Sequence, residues 1–329
     1  MTDRGFVFPE VEFASHPYYA PLASEITASE RAETLAKFMD VYSGIVAQQK
    51  THAQYRRAHP EEGADPSPAS EALDKEGILA IRLEAADLEA IGDAIRPVES
   101  ALKEQRDQTP PERRAVGAAS MKVCDRGDNS PQLGLFQSLL QKYGILDACR
   151  RHKKLPYTLK FVMLQHNTSE DLGLNSICSY EDRTRAKTFY THIDTSIDAM
   201  KVIIYVTPDV VAERGAFRYF PGSHAASSLI DLAIRKSNDK CGWENVHKLH
   251  QRRAFASLPR EFQKKANFGN DLLDDEVADS VLRHERILDS SGGDLLLFNP
   301  DGAHRGAIFT APGERKILQL LLIPDLSAK

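Results

Sequence analysis

Gly293-Asp294-Leu295-Leu296-Leu297-Phe298-Asn299-Pro300-Asp301-Gly302-Ala303-His304 is the stretch that decides the fold. Four consecutive large apolar residues, Leu295 to Phe298, bounded by Gly-Asp and Asn-Pro, read as a short strand buried on both faces. The turn formers Asn299-Pro300-Asp301-Gly302 follow and bring the chain back. His304 therefore emerges from a core and not from a solvated loop. Runs of the same texture occur at 159–164, 188–192, 200–206, 216–220 and 315–323, each bounded by Pro, Gly or Asp. Short β-rich segments punctuated this way predict a barrel or sandwich.

Helices precede the β-rich half, which makes the class α+β. Thr27-Ala28-Ser29-Glu30 has the form of a capping box, and Leu35, Phe38, Met39, Tyr42, Ile45 and Val46 recur behind it at helical spacing. That helix should stop before Pro60. Residues 61–68, acidic and rich in breakers, read as a surface loop. A strand at 77–83, an amphipathic helix at 84–107 and a helix at 131–152 come next, the last burying Leu135, Leu139, Leu140, Tyr143 and Leu146. The division is then an N-terminal arm and helix, 1–76, packed on a core of 77–329. A charged, helix-like insert at about 224–285 interrupts the strands. Its apolar anchors (Ile230, Leu232, Ala233, Phe255, Leu258, Phe262, Leu272, Leu273 and Val277) predict an ordered segment, well placed to act as a lid.

Several side chains in the β-rich half carry chemistry. His192 and Asp194, two apart on an extended segment, project to one side. A pair this short would also suit an exposed turn; His304 after the buried strand changes its weight. Two histidines and a carboxylate make the facial triad of non-haem Fe(II) oxygenases, which leaves coordination positions open for a 2-oxo acid and dioxygen. Arg315 lies eleven residues after His304, on a strand whose period of two puts Arg315, Ile317 and Gln319 on one face. A guanidinium fork there matches a carboxylate with two parallel hydrogen bonds.

The ordered set Thr191-His192-Ile193-Asp194, Gly215-Ala216-Phe217-Arg218-Tyr219-Phe220-Pro221-Gly222-Ser223-His224, Gly293-Asp294-Leu295-Leu296-Leu297-Phe298, Ala303-His304-Arg305-Gly306 and Arg315 resembles the Fe(II)/2-oxoglutarate-dependent dioxygenases. It resembles most closely their phytanoyl-CoA dioxygenase-like branch, over roughly residues 77–325. The resemblance implies a double-stranded β-helix (jelly-roll, cupin-like) core. It implies Fe(II) held by His192, Asp194 and His304, with 2-oxoglutarate and O2 as cosubstrates and Arg315 on the distal carboxylate of the 2-oxo acid. The expected reaction hydroxylates, or otherwise oxidises, a C–H bond of a small molecule and yields succinate and CO2. Asp194 rules out the related halogenases, in which a small residue stands in its place. One departure is Gly306, where many relatives carry a hydroxyl two positions after the distal histidine; Thr207 or Thr310 would have to supply it. For the C1 carboxylate, Gln165, Lys160, Lys187 and Tyr205 are candidates, and Gln319 is a further polar group on the Arg315 face.

Bulk properties narrow the alternatives. A formal charge of -5 without a long basic run speaks against a nucleic-acid partner. The densest basic patch, Arg150-Arg151-His152-Lys153-Lys154, reads as a helix end, where cations favour the dipole. No apolar run reaches membrane-spanning length, and the N-terminus lacks a secretion pattern, so a cytoplasmic location is expected. Cys124, Cys149, Cys178 and Cys241 are spaced neither as a zinc motif nor as a small disulfide framework. His247 and His250 read as a solvated helix face, and His224 as a structural residue whose imidazole caps its turn. Lys201, Arg218 and Arg252-Arg253 suit an anionic group or a surface equally. Two rival functions remain: a cupin-like metalloenzyme that does not use 2-oxoglutarate, which would not need Arg315, and a catalytically silent ligand-binding barrel, which would not need the triad.

Overall fold

The structure, a computed structural model, describes residues 25–61, 65–109, 119–172, 193–194, 196–226, 228–237, 255–263, 265, 285–306 and 309–327. Helix α1 (Ala28–Ala58) starts as its sequence predicts. Thr27 Oγ1 accepts from Glu30 N at 3.2 Å, Glu30 Oε2 accepts from Thr27 N at 2.8 Å, and the helix stops two residues before Pro60. The expected loop at 61–68 gives way sooner than its composition suggests. Ser67 caps a helix α2 (Pro68–Glu76), with Pro68 in the first turn, where a missing N–H costs nothing. Strand β1 (Ile78–Arg82) leads into α3 (Ala85–Gln108), followed by β2 (Ala119–Asp125). The single helix expected at 131–152 is two, α4 (Pro131–Lys142) and α5 (Ile145–Lys153). Gly144 separates them in the left-handed conformation, φ 65°, which glycine takes without a Cβ penalty.

The remaining elements are β3 (Tyr157–Thr168), α6 (Ser169–Leu172), β4 (Met200–Tyr205), β5 (Phe217–Tyr219), α7 (Leu229–Lys236), α8 (Arg260–Gln263), β6 (Arg286–Leu288), β7 (Asp294–Phe298), β8 (His304–Arg305) and β9 (Glu314–Pro324). The described strands form a six-stranded antiparallel sheet, β1-β7-β4-β9-β3-β2, and a three-stranded one, β6-β5-β8. Alternation sorts the large sheet into two faces. Val202, Ile204, Leu318, Leu320 and Leu322 turn outward under Ile91 and Ile95 of α3 and Phe136 and Leu140 of α4. Ile203, Tyr205, Leu296, Phe298 and Ile317 turn inward and share a core with Phe217 and Tyr219 of the small sheet. Helices thus cover one face of the large sheet and the small sheet packs on the other, a layered α+β arrangement.

The insert does not stand apart. Ala233 and Ile234 of α7, with Phe255 and Leu258, bury against Phe38 and Ile45 of α1 and against Ile193, Phe220 and Ala303. Each large side chain fully buried in such a cluster is worth about 1.5–3 kcal/mol. Of the predicted anchors, Leu272, Leu273 and Val277 lie outside the described residues. No helix among the described residues is long and apolar enough to cross a membrane.

Candidate metal and cosubstrate site

Two chain segments meet at the end of the β7 strand. Ile193 is buried between α1 and α7, and the Asp194 N–H donates to Pro300 O at 3.1 Å, which stitches the 193–194 segment to the turn leading to His304. Gly302 in that turn has no room for a Cβ, because the Tyr219 hydroxyl occupies the place. That hydroxyl donates to Asn299 O at 2.9 Å and holds the turn closed. His304 is 3% exposed, its ring flanked by Phe298 and Phe217 at centroid distances of 5.2 and 5.7 Å. Its Nδ1 lies 2.8 Å from Gly302 O. A carbonyl only accepts, so Nδ1 carries the proton and Nε2 faces Asp194. The Nε2–Oδ2 separation is 3.7 Å, too long for a hydrogen bond and within the span of two bonds of about 2.1 Å to a shared ion. His192, the third expected ligand, lies outside the described residues. Lys201, inward-facing on β4 beside Ile203, forms an ion pair with Asp194 Oδ2 at 2.6 Å, so this cation is spent on the site's own carboxylate.

Arg315 projects from the start of β9 into the space between the sheets. It is 3% exposed, and its Nη1 donates to Gly215 O at 2.9 Å. Its Nε meets no acceptor, and no carboxylate pairs with it among the described residues. Burial pushes the guanidinium down to about 10, so it stays charged at neutral pH. A buried cation without a counter-ion costs several kcal/mol, and an anionic ligand would recover that cost.

The other predicted contacts sort by register. Gln319 and Gln165, from neighbouring strands, face inward and bond to each other, Nε2 to Oε1 at 3.2 Å. Thr207 extends the β4–β9 pairing, its Oγ1 accepting from Lys316 N at 2.6 Å. Thr310 is exposed, and so is Lys160, at a bulge in β3. The Tyr205 hydroxyl is occupied: it accepts from Phe217 N at 2.8 Å and donates to Leu288 O at 3.1 Å. Arg218 pairs with Glu285, which Arg305 also holds, so the substrate-anion role considered for it has no free cation behind it. Lys187, His247, His250 and Arg252-Arg253 lie outside the described residues. The residues present thus fit a metal with a 2-oxo acid: an imidazole and a carboxylate converge at one end of the inner face, and a buried guanidinium waits at the other.

Sequence reasoning missed the buried charges behind this site. Asp301 is held by Lys236 and, at 3.3 Å, by Lys153; burial alone would raise its carboxyl, and the two ammonium groups overcome that and hold it below the usual range. Nothing in the turn sequence Asn-Pro-Asp-Gly distinguishes such an aspartate from a solvated one. His224 is buried, but its Nδ1 caps nothing among the described residues. Ser223 ties down the turn instead, accepting from Ala303 N at 2.8 Å and donating to Phe220 O at 2.6 Å. Burial, reinforced by His152 and Lys153, pushes His224 down to about 4 from its ordinary 6.5. Above 6.5 the imidazole is neutral folded and unfolded alike. Below it the unfolded chain takes the proton first, so stability falls as pH drops from about 6.5 toward 4, by up to ~3 kcal/mol. Urea unfolding at several pH values in that window should show this acid limb in the native protein and a shallower one in His224→Gln; equal slopes would refute the assignment.

No family model matches the chain, and no curated protein matches it in sequence. Among solved structures it is similar to HygX from Streptomyces hygroscopicus with nickel and 2-oxoglutarate bound, at 17% identity and TM-score 0.44, covering 80% of this chain and 88% of that one. It is also similar to SnoK, a non-haem alpha-ketoglutarate-dependent carbocyclase of nogalamycin biosynthesis, at 14% identity and TM-score 0.45, covering 80% and 86%. A third is EctD from S. alaskensis with 2-oxoglutarate and 5-hydroxyectoine, at 11% identity and TM-score 0.45, covering 80% and 77%. At these identities and scores, the chemistry rests on this chain's own residues.

Proposed function

We propose that this protein is a non-haem Fe(II)- and 2-oxoglutarate-dependent dioxygenase. It would hydroxylate, or otherwise oxidise, a C–H bond of a small-molecule substrate. The core is proposed to be a double-stranded β-helix, with the 224–285 insert as its lid. The observation that carries the proposal is Arg315, a buried guanidinium without a carboxylate partner among the described residues, on the inner face of a sheet whose far end brings Asp194 and His304 together.

His192, Asp194 and His304 would hold the Fe(II). The Gly302 carbonyl fixes the His304 tautomer, as outer hydrogen bonds to ligating histidines commonly do. Arg315 would grip the distal carboxylate of 2-oxoglutarate, with Thr207 beside it, and Gln165 and Gln319 would orient the acid between its two ends. Lys201 steadies Asp194. When bound, the metal and cosubstrate supply the activation of O2 that oxidises the substrate and releases succinate and CO2. The protein's share is position and dryness: α7 and the segment around Phe255 close the metal end with apolar surface.

Anaerobic titration of the purified protein with Fe(II) and 2-oxoglutarate tests this. The weak visible metal-to-ligand charge-transfer band should appear, and it should be absent in His304→Ala. Metal uptake without the band would replace the proposal with a metal site that does not use the 2-oxo acid.

A further inference from the structure

Lys236 closes α7, yet its side chain is 1% exposed. Its Nζ donates to the backbone carbonyl of Asp194 at 2.8 Å and forms an ion pair with the Asp301 carboxylate. Asp194 and Asp301 belong to the two segments that carry the candidate ligands, which the Asp194 N–H to Pro300 O bond also joins. Neighbouring Arg235 donates to Asp301 O at 3.2 Å, which anchors the same turn to the same helix. Charge neutralisation alone does not explain Lys236, because Lys153 also reaches Asp301, and neutralising Asp301 needs no contact with the Asp194 carbonyl.

We propose that Lys236 is a positioning residue that sets the spacing of the Asp194 and His304 segments and couples the insert to the metal centre. The effect on metal affinity rests on Asp194 and His304 being metal ligands; the coupling of the segments does not.

The test is Lys236→Met in the full-length chain, which keeps the aliphatic stem and removes the donors, read by hydrogen exchange and by titration with Fe(II) or Co(II) alone. Exchange should rise in peptides spanning 193–200 and 299–306 while β3 and β9 stay protected, and metal affinity should fall by about tenfold or more, the usual effect of losing support behind a ligand. Lys153→Met, which removes the other ammonium on Asp301 and also a 3.8 Å ion pair with Asp198, should leave metal affinity close to wild type. If Lys236→Met does not fold, Lys236→Gln retains a hydrogen-bonding group for Asp301 but is shorter, and should show the same local pattern. Unchanged exchange at 193–200 in Lys236→Met, a uniform rise across the chain, or an equal loss of metal affinity in Lys153→Met would each overturn the proposal. A wild-type chain that takes no metal would refute the ligand assignment, and the exchange experiment would still decide the coupling.

Discussion

Replacing Arg315 with alanine should weaken 2-oxoglutarate binding by at least about tenfold and leave Fe(II) binding nearly unchanged. Hydrogen bonds to charged groups contribute ~1.5–3 kcal/mol each, and a fork makes two of them. Loss of even the weaker one is about a factor of ten. Iron affinity should survive because the hydrogen bond Arg315 makes among the described residues goes to Gly215 O and not to Asp194 or His304. Arg315→Lys should not restore binding, since an ammonium is a point donor that cannot reproduce the planar fork. The same substitutions should cost little stability. Arg315 carries a desolvated charge that no carboxylate among the described residues offsets, so Arg315→Met should hold or raise the Tm. Titration of the charge-transfer band against 2-oxoglutarate and a thermal melt read the two effects. Unchanged cosubstrate affinity in Arg315→Ala would remove the clamp, and with it the main support for the proposed function.

The second large effect concerns folding. Arg235→Met should destabilise the protein by about 3–5 kcal/mol, the usual cost of breaking a buried charge pair from one side. Arg235 and Asp231 are both fully buried on α7, 3.2 Å apart. The guanidinium also donates to the carbonyls of Ser223, Ala225 and Asp301, so its loss takes the cation from a buried carboxylate and a donor from each of those acceptors. For a chain this long the Tm should fall by roughly 4–7 °C. The double variant Asp231→Leu/Arg235→Met should lose less than the sum of the single variants, because the second change removes the stranded carboxylate. Denaturant unfolding of the three variants checks this; additive losses, or a single loss under about 1 kcal/mol, would show that the pair does not hold the insert helix to the turn.

The parts of the molecule governed by local physics were legible in the residues. The capping box at Thr27, the four-residue apolar run before Asn299 and the alternation from Arg315 to Gln319 each depend on neighbours within a few positions. The sheets, the inward face of Arg315 and the buried emergence of His304 follow from them. Errors appeared where a local signal was weak or double: composition hid the helix capped by Ser67, and Gly144 cut in two a helix whose apolar spacing ran through it. The amide pair Gln165–Gln319 was half legible, since alternation placed each residue on the inner face and only strand register put them within reach of each other.

By itself, then, the sequence determined most strands of the main sheet, though not β2, and their inner and outer faces, and it singled out Asp194, His304 and Arg315, because periodicity and turn chemistry act over short range. Tertiary structure alone decided which charges meet. Lys201 found Asp194, Lys236 joined Asp194 to Asp301, and Arg235 with Asp231 became the buried tie of the insert. In sequence these lysines, arginines and aspartates are ordinary polar residues of helices and turns. A charge becomes structural only when packing removes its water, and water is removed by residues far away in the chain.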